Sequence, residues 1–224
     1  MTPRVASSEH SAEVEAAIID AARDLLAEMG PGGLSMRGVA ERVGITATAI
    51  YRHFASKDEL LDRVVHVGYE RYGEYLQSAV RPHPRGSFER LRALGEAYLR
   101  FALENEAYFR VLFSLQPPHR RDVADLPGGG YQVLRETIAE GVASGALRPA
   151  DPDVVAHYLW ALAHGLVTIG FACRMGDHVC AAGSSRDAPL ELFRAFTPFV
   201  EDGLRAGNGH DANGLVTVEE QVRS

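Results

Sequence analysis

The residues best equipped for chemistry lie together between Ser35 and Lys57. Thr46, Ala47, Thr48, Tyr51, Arg52 and His53 follow closely in what reads as one short helix. Ile45, Ala49, Ile50 and Phe54 are spaced to bury the opposite face, so the first set must point elsewhere. Thr48 can donate or accept at the edge of a base, and Arg52 suits guanine or a phosphate. Thr46 and Tyr51 suit phosphate oxygens. Ala47 is small enough to approach a base or a thymine methyl. Ser35 and Lys57 stand at helix starts, where backbone N–H groups and the helix dipole attract phosphate, and Arg37 adds charge there. The plainer reading of these residues is a solvated face on a surface helix pair.

The chain as a whole is acidic, with a formal net charge of −7 over 224 residues. Electrostatic footprints are local, so this does not exclude nucleic acid. From Ser35 to Lys57, Arg37, Arg42, Arg52 and Lys57 stand against Glu41, so 4 − 1 = +3.

Positioning these residues requires helices, and helical periodicity runs through almost the whole chain. Val14, Ile18, Ala21, Ala22, Leu25 and Met29 form one stripe, ended by Gly30-Pro31-Gly32. Ser35 can cap a helix over Met36–Val43, and Gly44 offers a left-handed turn. Thr46 then caps a helix running to about Phe54. Ser56-Lys57-Asp58-Glu59 reads as a capping box that opens a long helix to about Val80. After the break at Arg81–Gly86, periodicity predicts helices over 87–104, 106–115, 130–144, 152–174 and 188–205. Asp151-Pro152 suits a helix start. Strand signals are nearly absent, so the expected fold class is all-α.

The stretch Leu34–Leu61, LSMRGVAERVGITATAIYRHFASKDELL, strongly resembles the DNA-binding domain of the TetR family of regulators. The residues that carry the resemblance are Ser35, Val39-Ala40, Gly44-Ile45, Ile50-Tyr51-Arg52-His53-Phe54 and Ser56-Lys57-Asp58-Glu59-Leu60-Leu61. It implies a helix-turn-helix with Thr46–His53 as recognition helix. Thr46, Thr48, Tyr51 and Arg52 would touch double-stranded operator DNA, and Lys57 would grip a phosphate. Ala47 departs from the polar or basic residue that members often carry there. The implied architecture is a flexible N-terminus (1–14), a DNA-binding domain (15–62), a ligand-binding and dimerisation domain (63–206) and a flexible tail (207–224). The implied mechanism is a homodimeric repressor of a pseudo-palindromic site, released when a small apolar effector shifts the fourth helix.

Trp160, His164 and Gly165 match a W-x-x-x-H-G arrangement that resembles one C-terminal subgroup of the family. Helical spacing puts His157, Trp160 and His164 on one face, as a pocket wall or as a packed Trp with two satisfied core histidines. Tyr98 and Phe101, and Phe109 and Phe113, share faces as well; such aromatics suit an apolar ligand or plain core. Leu159, Leu162 and Leu166, with Phe193, Phe196 and Val200, leave more apolar surface than an outer helix pair hides. They predict a four-helix interface between two copies.

No Ser-His-Asp order, metal-ligand cluster, phosphate loop or paired carboxylates can be discerned, so neither an enzyme nor a cofactor is expected. No run approaches the roughly 18–20 apolar residues of a membrane span. No signal peptide is discernible, and a cytoplasmic protein with no membrane partner is expected. Cys173 and Cys180 read as idle thiols rather than a redox switch. The rival reading is a ligand-binding dimer without DNA affinity, favoured slightly by Glu9, Glu13, Glu15, Asp20 and Asp24 on the first helix.

Overall fold

The computed structural model describes residues 4–113, 129–174 and 185–207. Pro117-Pro118, Arg120-Arg121, Gly128, Cys180 and the tail beyond Gly207 lie outside the described residues. All elements among the described residues are helices.

Helix α1 (Arg4–Gly33) is already helical within the stretch 1–14 that was expected to be flexible. It buries Ile18, Ile19, Ala22, Leu25 and Leu26. Met29, expected on the same stripe, is instead 55% exposed. The cause is at Gly30, whose φ of 69° and ψ of −176° break the helix directly behind it. Leu34, beyond the break, is buried instead.

Three capped starts set the next elements. Ser35 Oγ accepts from Gly38 N–H at 3.1 Å and opens α2 (Met36–Val43). Gly44 ends α2 in the left-handed region at φ 78°, donating to the Ala40 and Glu41 carbonyls. Thr46 Oγ1 accepts from Ala49 N–H at 3.2 Å and opens α3 (Ala47–Ile50). This helix is shorter than expected. Beyond it the chain stays turned, with the Arg52 and His53 N–H groups donating three residues back at 3.2 and 2.9 Å. That tightening tucks Phe54 into the core at 3% exposure. Ser56 Oγ then accepts from Glu59 N–H at 3.1 Å, and the Glu59 carboxylate accepts from Ala55 N–H at 2.6 Å. This opens α4 (Lys57–Val80).

The turn after α4 is locked in place. Gly86 has φ 70°, and a Cβ there would stand 2.7 Å from the Glu140 backbone. Arg90 bridges from the next helix, donating to the Val80 carbonyl at 3.1 Å and to Thr137 Oγ1 at 3.3 Å. Helices α5 (Phe88–Glu104) and α6 (Glu106–Phe113) follow, then α7 (Gly130–Ala143), α8 (Pro152–Arg174) and α9 (Ala188–Leu204). Helix α5 is central, packing on α4, α6, α7, α8 and α9. Its Leu99, Phe101 and Ala102 are fully buried. One core runs from α1 through α4, α5 and α6 to α8 and α9. The end of α9 folds back on the α7–α8 connection, where Arg148 N–H donates to the Leu204 carbonyl at 2.9 Å.

Helix α8 is the most apolar long helix among the described residues. Its stretch Pro152–Cys173 has mean hydropathy 1.5 and is long and apolar enough to cross a membrane by length and composition alone. Glycine, alanine, threonine and histidine interrupt the large apolar residues without lowering the average enough to exclude it. The helix packs on α5, α7 and α9 and buries Ala163, Val167 and Phe171. Cys173 is disulfide-bonded, so the expectation of an idle thiol fails for it.

Candidate nucleic-acid interface and ligand cavity

The helix-turn-helix presents its polar residues outward from a fully buried support. Val39 and Ile50 are 0% exposed, and Ala40 is 3% exposed where α2 and α3 meet. Opposite them Ser35, Arg37, Thr46, Ala47, Thr48, Tyr51 and Arg52 are exposed, and His53 and Lys57 are half-buried. The structure thus brings the nine residues into one neighbourhood. The Ser35 and Thr46 hydroxyls accept bonds from their own helices, which leaves their O–H groups free to donate outward. Among the described residues neither Arg37 nor Arg52 forms an ion pair. Arg42 differs: it makes a bidentate pair with Glu28 on α1, at 2.9 and 2.6 Å. The pair holds the Glu28 carboxyl below its usual range. Without Arg42 the local balance becomes 3 − 1 = +2.

A second site lies in the C-terminal half. A cavity of about 590 Å³ opens among α4, α5, α7, α8 and α9. Tyr98 and Trp160 line it as expected, and Tyr72, Leu76, Leu94, Tyr131 and Leu134 join them. The six residues expected at a dimer interface, Leu159, Leu162, Leu166, Phe193, Phe196 and Val200, line it too. The ring of Phe193 lies over Gly95, where a Cβ would come within 2.3 Å of it. The mouth is apolar and open: Tyr158, Phe196 and Phe199 line it and are 62, 58 and 73% exposed.

The other residues expected on the pocket wall stand elsewhere. Phe101 and Phe109 are buried and Phe113 half-buried in the core beside the cavity. His164 stacks on Phe109 at 5.6 Å between centroids, and its Nδ1 lies 2.7 Å from the Tyr98 hydroxyl. Burial lowers the His164 pKa and raises that of Tyr98. Both groups are therefore neutral near pH 7, and they share one hydrogen bond. His157 is exposed on the outer edge, 2.7 Å from the Tyr131 hydroxyl and 2.8 Å from the Asp153 carbonyl oxygen.

Sequence reasoning missed the charged part of the wall. Arg92 donates to both oxygens of Glu201 at 2.7–3.0 Å, joining α5 to α9 across the cavity. These residues are far apart in the chain, so no local pattern marks them. Tyr72 was within reach, because the inward stripe of α4 continues through it to Leu76.

Residues 18–64 match the family described as bacterial regulatory proteins, tetR family. Residues 91–193 match the tetracyclin repressor-like C-terminal domain. The HTH-type transcriptional regulator Rv1816 of Mycobacterium tuberculosis is 28% identical over 144 residues, 62% of this chain and 62% of its own length. The match therefore spans less than two thirds of that relative. The HTH-type transcriptional activator FasR of Mycolicibacterium smegmatis is 30% identical over 155 residues, 68% of this chain and 66% of its own. The fold is shared with the transcriptional regulator FadR from Bacillus subtilis, solved in complex with stearoyl-CoA. The TM-score is 0.66 at 17% identity, covering 84% of this chain and 98% of that one. With both halves of the chain matched, an exposed helix-turn-helix at one end and a helical bundle at the other, this protein belongs to the TetR family of bacterial regulatory proteins.

Proposed function

We propose that this chain is a DNA-binding transcription regulator that acts as a homodimer in the cytoplasm and responds to a small, largely apolar effector. The exposed set Thr48, Tyr51 and Arg52, held on a buried scaffold in α3 and the turn after it, carries the reading. In a two-fold dimer these surfaces would enter successive major grooves about one helical turn apart. The apolar face of α8 and α9, with Val154, Tyr158, Ile169, Phe196 and Phe199 each more than half exposed, supports pairing with a second copy. Such pairing would also cover the mouth of the cavity.

The cavity supports an effector site, and α4 connects it to the DNA-reading end. Effector binding releases the protein from DNA in this reading, so the protein is a repressor. A coupling of roughly 1–3 kcal/mol would weaken operator binding about 5–150-fold. The effector must favour one of the two conformations, since equal affinity for both shifts nothing.

The test is fluorescence anisotropy on the DNA immediately upstream of the gene, across salt. Specific binding should exceed random DNA by about 10³-fold or more and fall steeply with salt. Binding no stronger than to random DNA, unaffected by Arg52→Ala with Tyr51→Phe, would point to a dimer without DNA function. A promoter fusion that loses expression when the gene is deleted would make the protein an activator, as FasR is named.

A further inference from the structure

Tyr72 stands out on the cavity wall. The residue is 7% exposed, and its ring is wedged between Tyr98 at 6.0 Å, Phe101 at 5.1 Å and Phe113 at 5.6 Å. Among the described residues its hydroxyl makes no hydrogen bond. Several other polar groups on the cavity wall are paired. Arg92 holds Glu201, Tyr98 reaches His164, Tyr131 reaches His157, and the Thr197 hydroxyl donates to the Phe193 carbonyl. The oxygen is not sealed in, since the enclosed unpaired side-chain oxygen among the described residues is Glu140 Oε2, and Tyr72 lines the cavity. The oxygen packs over Gly130, where an added Cβ would collide with it.

The charges on the wall point the same way. Arg92 and Glu201, the charged residues among the described lining, neutralise each other through three hydrogen bonds. A carboxylate, phosphate or ammonium entering the cavity would lose its water and meet no unpaired counter-charge.

We propose that the cavity takes an uncharged, apolar molecule bearing one hydrogen-bonding oxygen, and that Tyr72 is the residue that recognises that oxygen. This rests on the reading of the cavity as an effector site. It also places the one polar recognition contact on α4, the helix that begins beside the DNA-reading surface.

Fluorescence titration of the full chain with pyrene and 1-hydroxypyrene tests it, with pyrene-1-carboxylate and 1-pyrenylmethylammonium as charged analogues. Tyr72→Phe should weaken 1-hydroxypyrene about 5–10-fold and leave pyrene within twofold. Both charged analogues should bind at least about tenfold more weakly than 1-hydroxypyrene to the unaltered chain. The ligand-free Tyr72→Phe protein should unfold at the same temperature or higher, because no hydrogen bond is lost. Equal weakening of pyrene and 1-hydroxypyrene would reduce Tyr72 to a packing role and overturn the proposal. Charged analogues that bind as tightly would overturn it as well. Failure of pyrene itself to bind would instead remove the effector site, a separate outcome.

Discussion

Thr48, Tyr51 and Arg52 bear almost no load in the fold, which makes their contribution separable. Arg52→Ala should cost about 1–3 kcal/mol of specific DNA binding in anisotropy, with the unfolding midpoint unchanged. Ser56 is the reverse case. Its hydroxyl caps α4, so Ser56→Ala should lower stability by about 1 kcal/mol in urea unfolding. His164 supplies a pH dependence. Burial holds its imidazole below the ordinary 6.5. The unfolded chain thus takes up a proton that the folded chain resists, so this stability is present above about pH 6.5 and is lost as pH falls. Thermal unfolding of the His164→Asn variant should decline less between pH 7 and 5 than that of the unaltered chain. Ser35, Thr46 and Ser56 were legible in the sequence because each cap acts on its own helix within three residues. The Arg42–Glu28 pair was not legible because Glu28 sits on another helix.

At the scale of elements, helices were legible wherever a short-range rule set their ends. Gly44 and Asp151-Pro152 mark boundaries that the backbone confirms, the second through an Asp153 N–H bond to the Asp151 carboxylate at 2.8 Å. Gly44→Ala should cost about 1 kcal/mol in chemical unfolding, from left-handed strain alone, since nothing lies within 4 Å of the added methyl. The cavity was not legible. Five helices converge on it, and helical spacing says only which residues share a face. His157 and His164 show the limit: they lie two turns apart on α8, yet one reaches the outer edge and the other the buried aromatics. Interface and pocket residues likewise merged, because the gap between α8 and α9 is both the cavity mouth and the exposed apolar face.

Over the whole molecule, an acidic chain carries a small basic reading surface, and Val154, Tyr158, Ile169, Phe196 and Phe199 expose an apolar face on α8 and α9. Phe199→Glu, at a residue 73% exposed, should shift sedimentation from dimer to monomer and weaken operator binding in parallel, with the helical content retained. An unchanged sedimentation coefficient would place the interface elsewhere. The glycine turn that follows α4 has a further, mechanical consequence. With Gly86 resting on the α7 backbone and Arg90 gripping the Val80 carbonyl, the far end of α4 acts as a fulcrum. In the proposed mechanism these contacts favour a swing about that end over sliding along the axis. From Val80, Tyr72 lies eight residues along the arm and Lys57 lies 23, on the order of 12 and 35 Å at 1.5 Å per residue. In the proposed dimer, a push of one ångström at Tyr72 would be geared up to roughly three ångströms at Lys57, where the spacing of the two reading surfaces would be set.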